Sequence, residues 1–243
     1  MIRGHRSPRS AAGGDGLRRL RPRLWDADWL VLRGLTREID RLAAIVTSPG
    51  LSVLDFGCGD KPYASLFVGR GARYAGADFG TGHEVAVDSD GNLEAPDGSF
   101  DLVVSFQVLE HVRDLGTYFS EMRRVLRPEG RLILSTHGSW FYHPDPEDHR
   151  RWTREGLMSE LRAHGFEPVE CRGVVGPLAY TTIVRLMMVA YVLRAVPVAG
   201  PTVARCLAVL TNARARLEDA ATPTRATRDN ACVYVTLSRR SQA

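Results

Sequence analysis

Leu51-Ser-Val-Leu-Asp-Phe-Gly-Cys-Gly-Asp60 is the stretch on which the fold turns. An apolar run ending in an acid and two glycines is how a buried strand of an open α/β sheet hands the chain to a ligand loop. Val53 and Leu54 belong inside the sheet, and Asp55 marks the strand's carboxyl end. Gly57 and Gly59 then permit a tight turn in which bare backbone approaches a ligand with no Cβ in the way. Working outward, Arg73-Tyr-Ala-Gly-Ala-Asp78 reads as a second short strand, again ending in an acid. A carboxylate ~20 residues beyond a glycine-rich first turn suits ribose, because it accepts hydrogen bonds from both hydroxyls of a cis-diol. A dinucleotide fingerprint would place a third glycine three residues after the second. That position is Pro62, so no pyrophosphate cradle is indicated.

Two further runs follow in order: Phe100-Asp-Leu-Val-Val-Ser-Phe-Gln-Val-Leu-Glu-His111 and Leu126-Arg-Pro-Glu-Gly-Arg-Leu-Ile-Leu-Ser135. Together with Asp55-Phe-Gly-Cys-Gly59 and Asp78 they resemble the class I S-adenosylmethionine (SAM)-dependent methyltransferases. The likeness is to the small-molecule subgroup with a D-x-G-C-G loop and an L-E-H after the fourth strand, and it covers roughly residues 51 to 170. The chain departs from that pattern at Lys61, where a third loop glycine is common, and continues with Pro62 and Tyr63. The resemblance implies a Rossmann-like, seven-stranded mixed sheet with helices on both faces and an antiparallel last strand. It also implies SAM as cofactor, held by Asp55, Gly57, Cys58, Gly59, Asp78 and Phe79, with Asp90 and Asn92 toward adenine and Gln107 toward the methionine end.

Composition bounds the rest. The chain has 243 residues, enough for one α/β domain with decoration. Cys58, Cys171, Cys206 and Cys232 form no C-x-x-C pair, which argues against a zinc knuckle or disulfide framework and fits a reduced cytoplasm. The net charge of +4 is concentrated at the start: residues 1 to 24 hold seven arginines against Asp15 alone, a formal +6, leaving −2 for the remainder. The sequence therefore divides into an Arg-rich tail at 1–24, expected to lack fixed structure, and a domain at 25–243. The tail reads as a solvated segment, a partner or phosphate contact, or a targeting signal. With a near-neutral body there is no strong nucleic-acid signal.

Along the domain, Trp29, Leu32, Leu35, Ile39, Leu42 and Ile45 recur at helical spacing, placing one or two amphipathic helices between Trp25 and Val46. Residues 117–126 read as a helix, Pro128 and Gly130 as the turn into a strand at 131–135, and Thr153 as the N-cap of another helix. Strands follow at 166–172 and 231–237. Between them lies a helical insertion at about 175–229, the chain's individual feature. Its apolar part, Thr182 to Pro197, is interrupted by Arg185 and Arg194, which rules against a membrane-spanning helix. A cap over a substrate pocket, a homodimer surface and an interfacial membrane contact all fit it.

Methylation of an oxygen or nitrogen releases a proton, so a base is useful. His111, just past the fourth strand, is one candidate. His143 and His149, in the loop His143-Pro-Asp-Pro-Glu-Asp-His149, are two more. Prolines break that loop so that it offers no single ligand face, and no metal is expected. The acceptor pocket is expected above strands four and five, walled by His111, the 140–149 loop and the insertion near Tyr180 to Tyr191. Its apolar lining points to a small-molecule acceptor with an apolar portion. The alternatives are an RNA methyltransferase and a non-catalytic SAM-binding module.

Overall fold

The computed structural model describes residues 14–144 and 147–241. Seven strands form one sheet: β1 (Ser52–Phe56), β2 (Arg73–Phe79), β3 (Val85–Val87), β4 (Phe100–Phe106), β5 (Leu126–His137), β6 (Phe166–Val174) and β7 (Val233–Arg240). Their spatial order is β3-β2-β1-β4-β5-β7-β6, with β7 antiparallel to both neighbours and β1 to β5 parallel. The order reverses between β1 and β4, so their carboxyl ends splay connections to opposite sides and open a crevice there.

Adjacent residues of a strand point to opposite faces, and the core divides accordingly. Val53, Leu102, Val104 and Ile133 face one helical layer, which includes α2 (Trp29–Val46) with Leu35, Ile39 and Leu42 and the short α3 (Ala64–Val68) with Phe67. Leu54, Val103, Leu132 and Leu134 face the other, which includes α4 (Leu115–Val125) and α5 (Arg154–Ala163). Each of these side chains is essentially inaccessible, and burial of one Leu or Phe contributes about 1.5–3 kcal/mol. Covering both faces is what requires strands as uniformly apolar as β4.

Thr153 caps α5 as expected, its hydroxyl accepting from Gly156 N. The preceding helix starts earlier than residue 117, because Asp114 caps α4 by accepting from Thr117 N. The β4–β5 register jumps from Phe100↔Leu126 to Leu102↔Arg131. The expected turn at Pro128 and Gly130 is thus a bulge within β5, where a proline that cannot donate to the ladder is tolerated.

The insertion comprises α6 (Pro177–Arg194), α7 (Gly200–Ala221) and α8 (Thr224–Asp229). Gly200, Ala204, Ala208 and Ala215 give α7 a small-residue face, which lets α6 pack closely against it. Among the described residues no helix is long and apolar enough to cross a membrane.

The expected unstructured tail at 1–24 is corrected in its second half; residues 1–13 lie outside the described residues. Gly14–Leu20 is a helix, α1. Arg18 pairs with Asp28 at 2.7 Å and Thr36 Oγ1 donates to the Arg19 carbonyl. A basic side chain that looks solvated in sequence finds a carboxylate on the body, and the segment's backbone finds a hydroxyl there, which orders the segment.

Candidate active site

The loop after β1 is built on left-handed backbone: φ is +79° at Gly57, +51° at Gly59 and +53° at Lys61. A Cβ on Gly57 would come within 2.5 Å of Val108 Cγ2, whereas one on Gly59 would meet nothing within 4 Å. The first glycine therefore allows close packing against the β4 loop, and the second leaves open space for a ligand. Lys61, where the resemblance leads to the expectation of glycine, occupies a left-handed position. Its ammonium is clamped by Glu84, which also accepts from Gly76 N at 2.8 Å. The Lys61 stem passes over Gly76, where a Cβ would lie 2.4 Å from Lys61 Cε. Asp78 closes the loop from β2, accepting from Gly59 N at 2.7 Å and from Phe79 N at 2.8 Å. Each oxygen keeps lone-pair capacity beyond these bonds.

Asp55 is buried at the end of β1 and accepts from Tyr74 OH at 2.7 Å. Burial pushes its carboxyl up to about 7, with the Tyr74 hydrogen bond opposing. Cys58 is buried beside it, 3.4 Å from His83 Nδ1, and burial likewise pushes its thiol up to about 12, so it is no nucleophile.

A second group of side chains gathers where β4 and β5 end. Gln107 leaves β4 at φ +58°, its amide donating to Ser135 Oγ at 3.1 Å. A short 3₁₀ turn, Leu109–His111, then turns Glu110 inward and His111 to the crevice. His111 Nδ1 meets the Glu147 carbonyl at 2.5 Å. A carbonyl only accepts, so Nδ1 carries the proton and Nε2 is the basic nitrogen. Glu110 is wholly buried and accepts from Thr136 Oγ1 at 2.8 Å, and burial raises its carboxyl. His137 lies over it in face-to-face stacking with Trp140 (centroids 5.2 Å apart), and burial pushes its imidazole down to about 3. His143 packs near both His111 and His137.

These two groups line one cavity of about 460 Å³. Of the expected cofactor residues it brings together Asp55, Gly57, Cys58, Gly59, Asp78 and Gln107; of the expected bases, His111 and His143. Phe79 is not part of that wall and is 63% exposed. Asp90 and Asn92 are set apart from the wall, in a turn where the Asp88 carboxylate accepts from both backbone amides. His149 is also outside it, its ring against Glu147 and its amide donating to the Glu110 carbonyl. Sequence reasoning missed Arg18 and Arg19 of α1, and the buried pair Glu110 and His137. The Glu of L-E-H carried a signal in its motif position, whereas nothing local marked His137.

Residues 26–170 match the family model described as a methyltransferase domain, which is more than half of the chain, and the chain belongs to that family. It is a class I SAM-dependent methyltransferase domain. A "Probable S-adenosylmethionine-dependent methyltransferase" of Mycolicibacterium smegmatis is 33% identical over 142 residues, 51% of this chain and 55% of that protein. The chain thus matches about half the length of that relative. A ubiquinone biosynthesis O-methyltransferase of Cereibacter sphaeroides is 26% identical over 178 residues, 60% of this chain and 72% of that protein. Among solved structures, the [4+2]-cyclase SpnF superposes with a TM-score of 0.56 at 18% identity, covering 88% of this chain and 83% of the cyclase. The phosphoethanolamine N-methyltransferase 2 of Haemonchus contortus gives 0.53 at 14%, covering 90% and 57%. At such identities these two structures speak for the fold alone.

The residues present fit SAM. Open space lies over Gly59, Asp78 beside it keeps lone pairs free to accept from a diol, and a buried acid, Asp55, lines the same cavity.

Proposed function

We propose that this protein transfers a methyl group from SAM to an oxygen or nitrogen of a small molecule held between α6 and the ends of β4 and β5. The observation that carries this reading is the continuity of the cavity, from Gly59 and Asp78 at one end to His111, His143, Trp140 and Met187 at the other. SAM supplies a methyl already activated by its sulfonium, so the protein's contribution is alignment and proton removal. Asp78 would hold the ribose and Asp55 the cationic methionine end, with Gly57 and Gly59 giving backbone contact. His111 Nε2 would take the acceptor's proton, its tautomer fixed by the Glu147 carbonyl. His137 would remain neutral and keep Trp140 in place as a flat wall. Trp140, Phe141 and Met187 suit a ring with an apolar portion, and the relatives named as ubiquinone biosynthesis O-methyltransferases support an oxygen acceptor. The scattered free cysteines are consistent with a reducing cytoplasm.

Titration calorimetry with S-adenosylhomocysteine (SAH) tests the cofactor half of this reading, and the expected result is saturable binding. Absence of heat at millimolar SAH would reject it. Methyl transfer from labelled SAM into cell extract, fractionated into small molecules and RNA, tests the acceptor. Label confined to RNA would establish the nucleic-acid alternative, and SAH binding without transfer to either fraction the non-catalytic one.

A further inference from the structure

The far end of the α6–α7 hairpin is an exposed apolar prong. From Met188 to Ala199 the chain carries one charge, Arg194, and of these twelve residues only Ala190 is buried. Tyr191 is 76% exposed, Val192 66% and Val198 96%. Val198 makes the turn at φ +64°, a left-handed conformation rare for a β-branched residue, with its side chain in solvent. Scattered exposed valines are ordinary; a contiguous tip is not.

The surroundings of the tip show what it faces. Asn212 of α7 donates to the carbonyls of Leu24 and Asp26, each at 2.8 Å, and so holds Trp25 against the hairpin. Trp25 shares a groove with Arg194, Pro201 and Arg205, and a neighbouring one with Arg21, Arg23 and Arg205. Asp26 is the carboxylate in both, and it accepts from Arg23 N. Between Glu170 and Glu218 the sequence contains six arginines and not one Asp or Glu. In a chain with 28 acidic residues, that stretch is cleared of negative charge, and among the described residues Asp26 is the single carboxylate beside it in the two grooves.

We propose that this tip docks on an anionic lipid bilayer. Val192, Val196 and Val198 enter the acyl boundary, Tyr191 and Trp25 lie at headgroup depth, and Arg194, Arg205 and Arg23 meet the phosphates. Each arginine near such a surface strengthens partition about fivefold. Among the described residues no helix is long and apolar enough to span, so this contact lies on the membrane surface. A second copy is the poorer occupant, since a two-fold contact would press this arginine face against itself. Docking stands independently of the methyl-transfer reading.

Flotation of the full chain with vesicles tests it, comparing phosphatidylcholine alone with phosphatidylcholine plus phosphatidylglycerol. Binding is expected on the anionic vesicles, weaker by about tenfold or more on the neutral ones and at high salt. The double variants Val192→Asp with Val198→Asp, and Arg194→Glu with Arg205→Glu, are each expected to lose about tenfold with far-UV circular dichroism unchanged. Equal binding to both vesicle types, no binding to either, or variants that bind like the parent overturns the proposal. So does a dimer, seen by sedimentation, that the same substitutions dissociate without any vesicle binding. SAH titrated in parallel reports on the cofactor site alone: its failure beside intact vesicle binding would sink the methyl-transfer reading and leave docking standing.

Discussion

His137 Nε2 lies 3.5 Å from Glu110 Oε1, with the two side chains 9% and 0% exposed. Among the described residues, Glu110 Oε1 and His137 Nδ1 find no hydrogen-bond partner. Burial holds the imidazole neutral and the carboxyl raised, so the pair forms a floor beneath Trp140 that is polar yet low in charge.

This pair has a pH signature. The unfolded imidazole takes a proton near 6.5, while the folded one resists down to about 3, because of burial first and then the charges of Arg151, His143 and His111, with Asp148 opposing. Across that window the unfolded chain binds more protons, so the His137 contribution is complete above 6.5 and is lost as pH falls toward 3. Urea unfolding of the parent and His137→Phe should show a stability difference that shifts against the parent on acidification. A difference independent of pH would mean the ring is not buried as described.

Glu110→Ala strips Thr136 Oγ1 of its buried acceptor and removes the carboxylate beside His137. A loss of about 1–3 kcal/mol is expected in the same assay. A smaller loss would place water in contact with this floor.

Asp55 has the opposite sign. Its folded carboxyl keeps a proton up to about 7 against an ordinary 3.8, chiefly through burial. The native state therefore binds more protons between those values, and this contribution to stability falls as pH rises across them. A cationic ligand favours the ionised form, so SAM should bind more tightly as pH climbs toward 7 and should release a proton on binding. Calorimetry at pH 6 in buffers of differing ionisation enthalpy measures that release, and Asp55→Asn should abolish it.

Asp78→Ala should weaken SAH binding by about 1.5–3 kcal/mol, roughly ten- to hundredfold, since it removes charge-assisted bonds to ligand and the anchor of Gly59 N. His111→Gln should leave SAH affinity unchanged and lower methyl transfer about 10²–10⁴-fold. Transfer at the parental rate would remove His111 from the proposed role.

Lys61 carries the last prediction. At φ +53° an alanine retains the left-handed strain, while glycine relieves it. Lys61→Gly should be more stable than Lys61→Ala by about 1 kcal/mol, as read by urea midpoint. The Lys61–Glu84 pair is absent from both variants, so it cancels.

Much of this protein was legible in its sequence because the deciding features are local. The run from Leu51 to Asp60, the acid at Asp78 and the apolar core of β4 each declare themselves within a few residues, since strand burial and left-handed turns are written in adjacent side chains. The order of those motifs carried the sheet with it, and with the sheet the meeting of Asp55, Gly57, Gly59 and Asp78 in one cavity wall. The tertiary structure decided what depends on distant partners. Arg18 looked like part of a solvated tail until Asp28 was placed 2.7 Å away. The Asp88 carboxylate takes the amides of both Asp90 and Asn92, a pairing that no linear pattern announced. His137 acquired meaning only when β5 carried it over Glu110, 27 residues earlier in the chain, and beneath Trp140. Burial and the pairing of polar groups are sums over neighbours that a linear pattern does not contain, and the chemistry of a site is set by those sums.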